Sequence, residues 1–210
     1  FLELGVKVTL VEMAGWLLSK QLDARAAQTY QDAFFREGVA QYYGVGISEV
    51  VLDDDGRITE AVLSDGTRLP CDYVVVTAGV RSNVEFLEGT GVATSRFGLL
   101  YDETGKTNDA NIYGAGDVSG LSPIWPVAVK EGMVAASNMA GVPARMTDFF
   151  ASKSTMNFLG IPSMSLGDVN CEEEGVVVEM KETKDSYKKI LHKNGRIVGA
   201  VLQGDLAYSG

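Results

Sequence analysis

Histidine is nearly missing from these 210 residues: His192 is the only one. Cysteine is scarce as well, with Cys71 and Cys171 about a hundred positions apart. Two thiols so separated make neither a disulfide framework nor a zinc site, and no metal site is expected. Positive charge is in deficit, since 18 Lys and Arg against 28 Asp and Glu leave a formal charge of −10. A nucleic-acid binder needs clustered cations to displace counterions from phosphates, so that class is excluded. No apolar run reaches the length of a bilayer-spanning helix, and no basic stretch precedes an apolar one at the start. The sequence predicts a cytoplasmic protein with no nucleic-acid or membrane partner.

Glycine is what the chain has in quantity, 24 residues, and glycines mark tight turns and close backbone approaches to ligands. With 46% hydrophobic residues there is ample material for a core. Phe1-Leu2-Glu3-Leu4-Gly5 reads as the last turn of a helix capped by Gly5, followed by a buried parallel strand over residues 6–12. A helix entering a strand implies preceding elements, and the last residues, through Tyr208-Ser209-Gly210, carry no terminal cap. The chain therefore reads as part of a longer one. An amphipathic helix is predicted over residues 22–37, with Asp23 as N-cap and Gly38 as stop. Strands follow at 39–43, 47–52 and 57–63. The acidic Asp53-Asp54-Asp55-Gly56 stretch lacks calcium-loop spacing and reads as a solvated turn. Residues 72–77, Asp72-Tyr73-Val74-Val75-Val76-Thr77, read as a returning buried parallel strand.

The middle third is loop-rich. A short helix is expected within 80–91, an edge strand at 97–102, and a strand over 112–118 that runs into a glycine elbow. A loop over 122–126 precedes a helix over 127–140. After a boundary near residue 146, strands are expected at 154–159, 163–168, 175–180, 187–192 and 197–203, with Asn194-Gly195 turning the last hairpin.

Two places could carry chemistry. Glu12 ends the first strand, where an acid can accept hydrogen bonds from both ribose hydroxyls of an adenosine; it can equally be an ordinary charged residue at a strand end. Gly114-Ala115-Gly116-Asp117 lets the backbone pass close to a bulky ligand, with Asp117 accepting a sugar-like hydroxyl; the competing reading is a strand-to-turn corner with Asp as a cap.

Several blocks in order resemble the pyridine nucleotide-disulfide oxidoreductase superfamily. They are LGVKVTLVE (4–12), DYVVVTAGVRSN (72–83), IYGAGDV (112–118), FLGIPSMSLGDV (158–169) and YKKILHKNGRIVGAVLQGDL (187–206). The last two are similar to the C-terminal module of the NADH oxidase, rubredoxin reductase and nitrite reductase branch. The resemblance implies α/β architecture: incomplete doubly wound nucleotide-binding domains followed by a small α+β module. It implies an NAD-binding part over 1–77, an FAD-binding part over 78–146, and a dimerisation-type module over 147–210. It places Asp117 at the FAD ribityl chain, with Gly116 and Val118 beside it. Glu131 and Gly132 then fall on the helix that points at the flavin ring. On the NAD side it places Glu12 at the adenosine ribose and Gly79 near the nicotinamide.

Ser82, Gly114 and Trp125 depart from the family pattern, which usually has Pro and Ala at the first two. The family's phosphate-binding glycine turns and any redox-active cysteine region match nothing in this sequence, so the catalytic residues are not assigned. By themselves the 210 residues are expected to hold little or no FAD and to show no NADH oxidation. Cys71 and Cys171 read as buried inert thiols and His192 as structural. Lys188, Lys189 and Lys193 read as a solvated strand face, with docking of an acidic redoxin as the lesser alternative. The function implied for the parent protein is hydride transfer from NADH to FAD and onward to an acceptor, in a homodimer that can use a small redox protein. The rival readings are a non-catalytic assembly module and a nucleotide sensor.

Overall fold

The computed structural model describes residues 1–120, 123–147 and 153–207. The chain divides into two compact units, Phe1–Val76 with Lys153–Gly210, and Thr77–Ser152. The expected boundary near residue 146 falls within the second unit.

In the first unit a single 3-10 turn, Leu2–Leu4, ends at Gly5, whose φ of 72° is the left-handed cap anticipated there. Strand β1 (Thr9–Glu12) pairs in parallel with β2 (Ala40–Tyr43), placing Glu12 opposite Tyr43. Helix α1 (Ala24–Arg36) joins them. It starts where it does because the Asp23 carboxylate accepts the Ala26 N–H at 3.1 Å, and it stops before Gly38, at φ 79°. Ala26, Ala27, Tyr30 and Ala33 form its buried stripe at helical spacing. Strands β3 (Ile47–Leu52), β4 (Ile58–Leu63) and β5 (Arg68–Pro70) make a three-stranded antiparallel sheet. Its first turn is closed by Asp53, which accepts from the Asp55 and Arg57 amides, so the acidic stretch is an Asx-type turn. Strand β5 goes unannounced in the sequence because it is short and ends in proline.

Strands β6 (Lys153–Phe158), β7 (Ile161–Gly167), β8 (Val177–Glu182), β9 (Tyr187–Lys193) and β10 (Arg196–Gln203) form an antiparallel sheet in the order β6-β7-β10-β9-β8. Asn194 and Gly195 both take positive φ, 53° and 74°, as a two-residue hairpin of this kind requires. Helix α1 packs on this sheet. Leu22, Ala26, Ala27 and Tyr30 share one buried cluster with Val169, Tyr187 and Val201. The Tyr30 hydroxyl donates to the Ile161 carbonyl and the Ser163 hydroxyl, and the Gln203 amide donates to the Ala26 carbonyl. One face of this sheet is thus covered from within the same unit.

Residues 72–77 do not form the expected strand. They join no ladder, and Tyr73 and Val76 are 87% and 79% exposed. A parallel strand is held by its neighbours' amides and carbonyls, and none among the described residues pairs with this run.

In the second unit, the 3-10 turns Glu85–Leu87 and Gly116–Ser119 precede helix α2 (Trp125–Met139). The edge strand expected at 97–102 and the strand expected at 112–118 reduce to isolated bridges, Thr94 with Leu99 and Lys106 with Tyr113. Gly98, Gly105, Gly114 and Gly116 recur too often for a ladder to continue. Helix α2 begins two residues before the expected start, with Pro126 in its first turn, where a missing N–H is harmless. Within the 122–126 loop, Ser122 lies outside the described residues, as do Tyr208, Ser209 and Gly210 at the C-terminus.

Candidate functional site

The glycine elbow of the second unit is built by bracing its backbone while leaving one carboxylate free of described partners. Ala115 is extended, Gly116 turns at φ 80°, and Gly120 ends the turn at φ 69°. The Asp117 carbonyl accepts the Ser82 hydroxyl at 2.6 Å and the Gly120 amide at 3.1 Å. The Val118 carbonyl accepts the Leu99 amide at 2.8 Å. The Gly114 amide donates to the Gly105 carbonyl at 2.8 Å. Helix α2 lies against the corner, since a Cβ on Gly116 would sit 3.1 Å from that of Ala128. The Asp117 side chain is exposed and engages no other described residue. A rigid corner presenting such a carboxylate suits a hydroxyl-rich ligand.

Glu131, on α2, is turned toward the same corner. Its Oε2 accepts the Gly116 amide at 2.6 Å and the Tyr101 hydroxyl at 2.9 Å. Burial pushes the Tyr101 hydroxyl up to about 12, and the adjacent Glu131 carboxylate adds to the shift by disfavouring a phenolate. Next to it, Gly132 has open space where a side chain would stand. The structure therefore brings Gly116, Asp117, Val118 and Glu131 together. Tyr101 belongs with them, although the sequence marks it only as an edge-strand residue; its partner lies 30 positions away, beyond any local spacing rule.

Glu12 and Gly79 lie in separate units. Glu12 is half-buried at the carboxyl end of β1, and its Oε1 accepts the Ala14 amide at 2.8 Å across the following turn. That bond holds one carboxylate oxygen, Oε1, in place. Burial raises the nearby Tyr43 hydroxyl, and the charge of Glu12 adds to the shift. Gly79 is exposed at φ 84°, with open space around its α-carbon.

The lysines differ from the solvated face expected of them. Lys189 is not solvated: its ammonium lies 3.1 Å from the buried Asp23 carboxylate and donates to the Val169 carbonyl. Lys188 pairs with Asp205 and Lys193 with Glu173. They face acids because α1 and the loops beside the sheet supply them. Cys71 and Cys171 are free and half-buried rather than buried. His192 meets Glu179 across two strands at 3.2 Å. Among the described residues no group of His, Cys, Asp and Glu is placed to hold a metal ion, and no helix is long and apolar enough to cross a membrane.

Residues 1–132 match the pyridine nucleotide-disulphide oxidoreductase family, and residues 153–209 match the C-terminal domain of rubredoxin NAD+ reductase. The chain belongs to the pyridine nucleotide-disulphide oxidoreductase family. It is 29% identical over 213 residues to the nitrite reductase [NAD(P)H] of Bacillus subtilis, covering 97% of this chain and 26% of that protein. It is 28% identical over 224 residues to the NADH oxidase of Methanocaldococcus jannaschii, covering 95% of this chain and 49% of that protein. The fold matches the reductase of a covalent putidaredoxin reductase–putidaredoxin complex with a TM-score of 0.78 at 20% identity, covering 97% of this chain and 50% of the other. The chain thus spans half or less of the length of these relatives.

Proposed function

We propose that this chain is part of a cytoplasmic NADH-dependent flavoprotein, with residues 1–77 contributing to NAD binding, 78–146 to FAD binding and 147–210 to assembly. The observation that carries the reading is Asp117: a carboxylate with no partner among the described residues, on a corner whose backbone is firmly hydrogen-bonded. Asp117 would accept hydroxyls of the FAD ribityl chain, with Gly116 and Val118 shaping the backbone beside it. Gly132 leaves room for a flat ring to approach α2. Glu12 would accept the ribose hydroxyls of NADH through the oxygen that Ala14 does not hold. When bound, FAD supplies the hydride and electron chemistry; these side chains bind and orient.

Glu12 sets the nucleotide preference. A 2′-phosphate beside this carboxylate meets like charge, so NADH is preferred to NADPH. The test is kcat/KM for both nucleotides in the intact protein, together with flavin content of the purified Asp117→Ala variant. An equal or higher value for NADPH overturns the Glu12 role. Full flavin retention by the variant overturns the Asp117 role.

A second copy of the chain is the partner we propose for β8. All six residues of this edge strand are exposed, among them Val177, Val178 and Met180. The outer edge of β8 pairs with no strand among the described residues, and an exposed edge carrying three apolar side chains is a template for pairing. Sedimentation as a monomer at micromolar concentration overturns this assignment. A small redox protein remains our proposed acceptor, supported by the putidaredoxin complex. The lysines of β9 are already paired within the chain and do not argue for it.

A further inference from the structure

Gly114 sits where Tyr101 needs room. A Cβ built on Gly114 would lie 2.5 Å from Cδ1 of the Tyr101 ring and 2.6 Å from a Leu99 methyl carbon, closer than side-chain carbons can approach. The absent side chain is what lets the aromatic ring lie against the elbow. From there the Tyr101 hydroxyl reaches Glu131, 2.9 Å away. The same Glu131 oxygen takes the Gly116 amide at 2.6 Å, one residue before Asp117. Gly116 is the residue whose positive φ turns the corner. One carboxylate oxygen thus joins three parts of the unit: the tyrosine segment, the elbow and helix α2.

We propose that Tyr101 and Glu131 form a latch that fixes the peptide of Gly116 and thereby aims the Asp117 carboxylate at the ligand, with Gly114 as the space the latch requires. Tyr101 and Glu131 are positioning residues that act through Gly116. The proposal rests on the flavin reading above and deepens it. A bare carboxylate would accept the Gly116 amide in several side-chain rotamers. The phenol narrows these to one, because the Oε2 that meets the ring hydroxyl is the oxygen that meets the amide. Both donors end on the same oxygen, so a carboxylate freed from the phenol can rotate away from the Gly116 amide as well.

The experiment uses the intact protein and the conservative variants Tyr101→Phe and Glu131→Gln, each checked for native thermal unfolding. Two readouts are taken: the dissociation constant for FAD by flavin fluorescence, and hydrogen exchange of the Gly116 amide without flavin. Tyr101→Phe keeps the ring and removes only the hydroxyl, so the fold is retained. The latch predicts about a tenfold weaker FAD affinity in each variant, the factor one charge-assisted hydrogen bond supplies, and faster exchange at Gly116. The double variant is no weaker than the worse single one, because both changes open the same latch. Wild-type FAD affinity and unchanged Gly116 exchange in both variants overturn the latch while leaving the flavin reading intact. A wild-type protein that binds no FAD overturns the flavin reading and the latch's purpose together, even where exchange at Gly116 responds.

Discussion

Asp23 belongs to the first unit and Asp117 to the other, and in sequence the two resemble each other, each an acid beside the first turn of a helical segment. Their surroundings separate them. Asp23 is consumed by the protein: one oxygen caps α1 at the Ala26 amide, and the other takes the Tyr187 hydroxyl at 2.6 Å and the Lys189 ammonium at 3.1 Å. Asp117 has its carbonyl bound twice, while its carboxylate is bound by none of the described residues. A structural acid is one whose lone pairs the fold has used. An acid on a braced backbone with its lone pairs free is available to a ligand. Glu131 lies between these cases, its one engaged oxygen spent on holding the elbow.

The largest test of this contrast is Asp23→Ala. It removes the helix cap, strands the Tyr187 hydroxyl, and leaves the largely buried Lys189 ammonium without its counter-ion. Breaking a buried pair from one side costs about 3–5 kcal/mol. Denaturant unfolding should show a loss of that size. A loss under about 1 kcal/mol, the range of exposed pairs, would erase the distinction between the two acids.

Gly114→Ala comes next. Its methyl group must displace the Tyr101 ring and Leu99, and overpacking of this kind costs about 1–3 kcal/mol. Combining it with Tyr101→Phe should give no relief, because the ring stays where it is. Relief in the double variant would mean that the hydroxyl, rather than ring volume, sets the conflict.

Alkaline pH probes both regions at once. Burial is the first cause that raises Tyr187, with the Asp23 hydrogen bond next, and Tyr101 is raised to about 12. Above about pH 10 unfolded tyrosines lose protons that these two keep in the folded state. Stability is therefore fully present below about pH 10 and falls as pH rises through the folded values, by at most about 1.4 kcal/mol per pH unit for each tyrosine. Tyr187→Phe and Tyr101→Phe should each flatten the decline between about pH 10 and 12. An unchanged slope in both would show that neither phenol is held protonated by the fold.

What is legible in the sequence divides along the same line. Helix α1 is readable to within two residues because its signals are local: Asp23 at the cap, alanines through the middle, Gly38 at the stop. The Asn194-Gly195 turn is readable for the same reason. Asp117 stands out because its glycines surround it in sequence. Pairings made by tertiary packing are not readable. Tyr187 and Asp23 are separated by 164 positions, and the sequence around Lys189 carries no sign that α1 will bring it a buried acid. The valines at 74–76 read as a strand from composition, but a strand exists only with a neighbour to bond to.

The smallest expected change in stability belongs to Asp117→Ala, and it is the sharpest test of the contrast. The bonds bracing this corner end on the Asp117 carbonyl, which alanine keeps, and the lost carboxylate is exposed and engages none of the described residues. Surface substitutions of that kind stay within about 0.5 kcal/mol. Binding should respond differently. Removing an ionised acceptor of ligand hydroxyls weakens FAD by roughly ten- to a hundredfold, the range of a hydrogen bond to a charged group. Asp117→Asn retains an acceptor oxygen without the charge and should fall between the two. Thermal unfolding of the intact protein without flavin, set beside flavin affinity, separates the effects. If Asp117→Ala unfolds as readily as Asp23→Ala, the acid is structural and the corner has no claim on a ligand. If stability holds while affinity falls, the free lone pairs are what the corner is built to present.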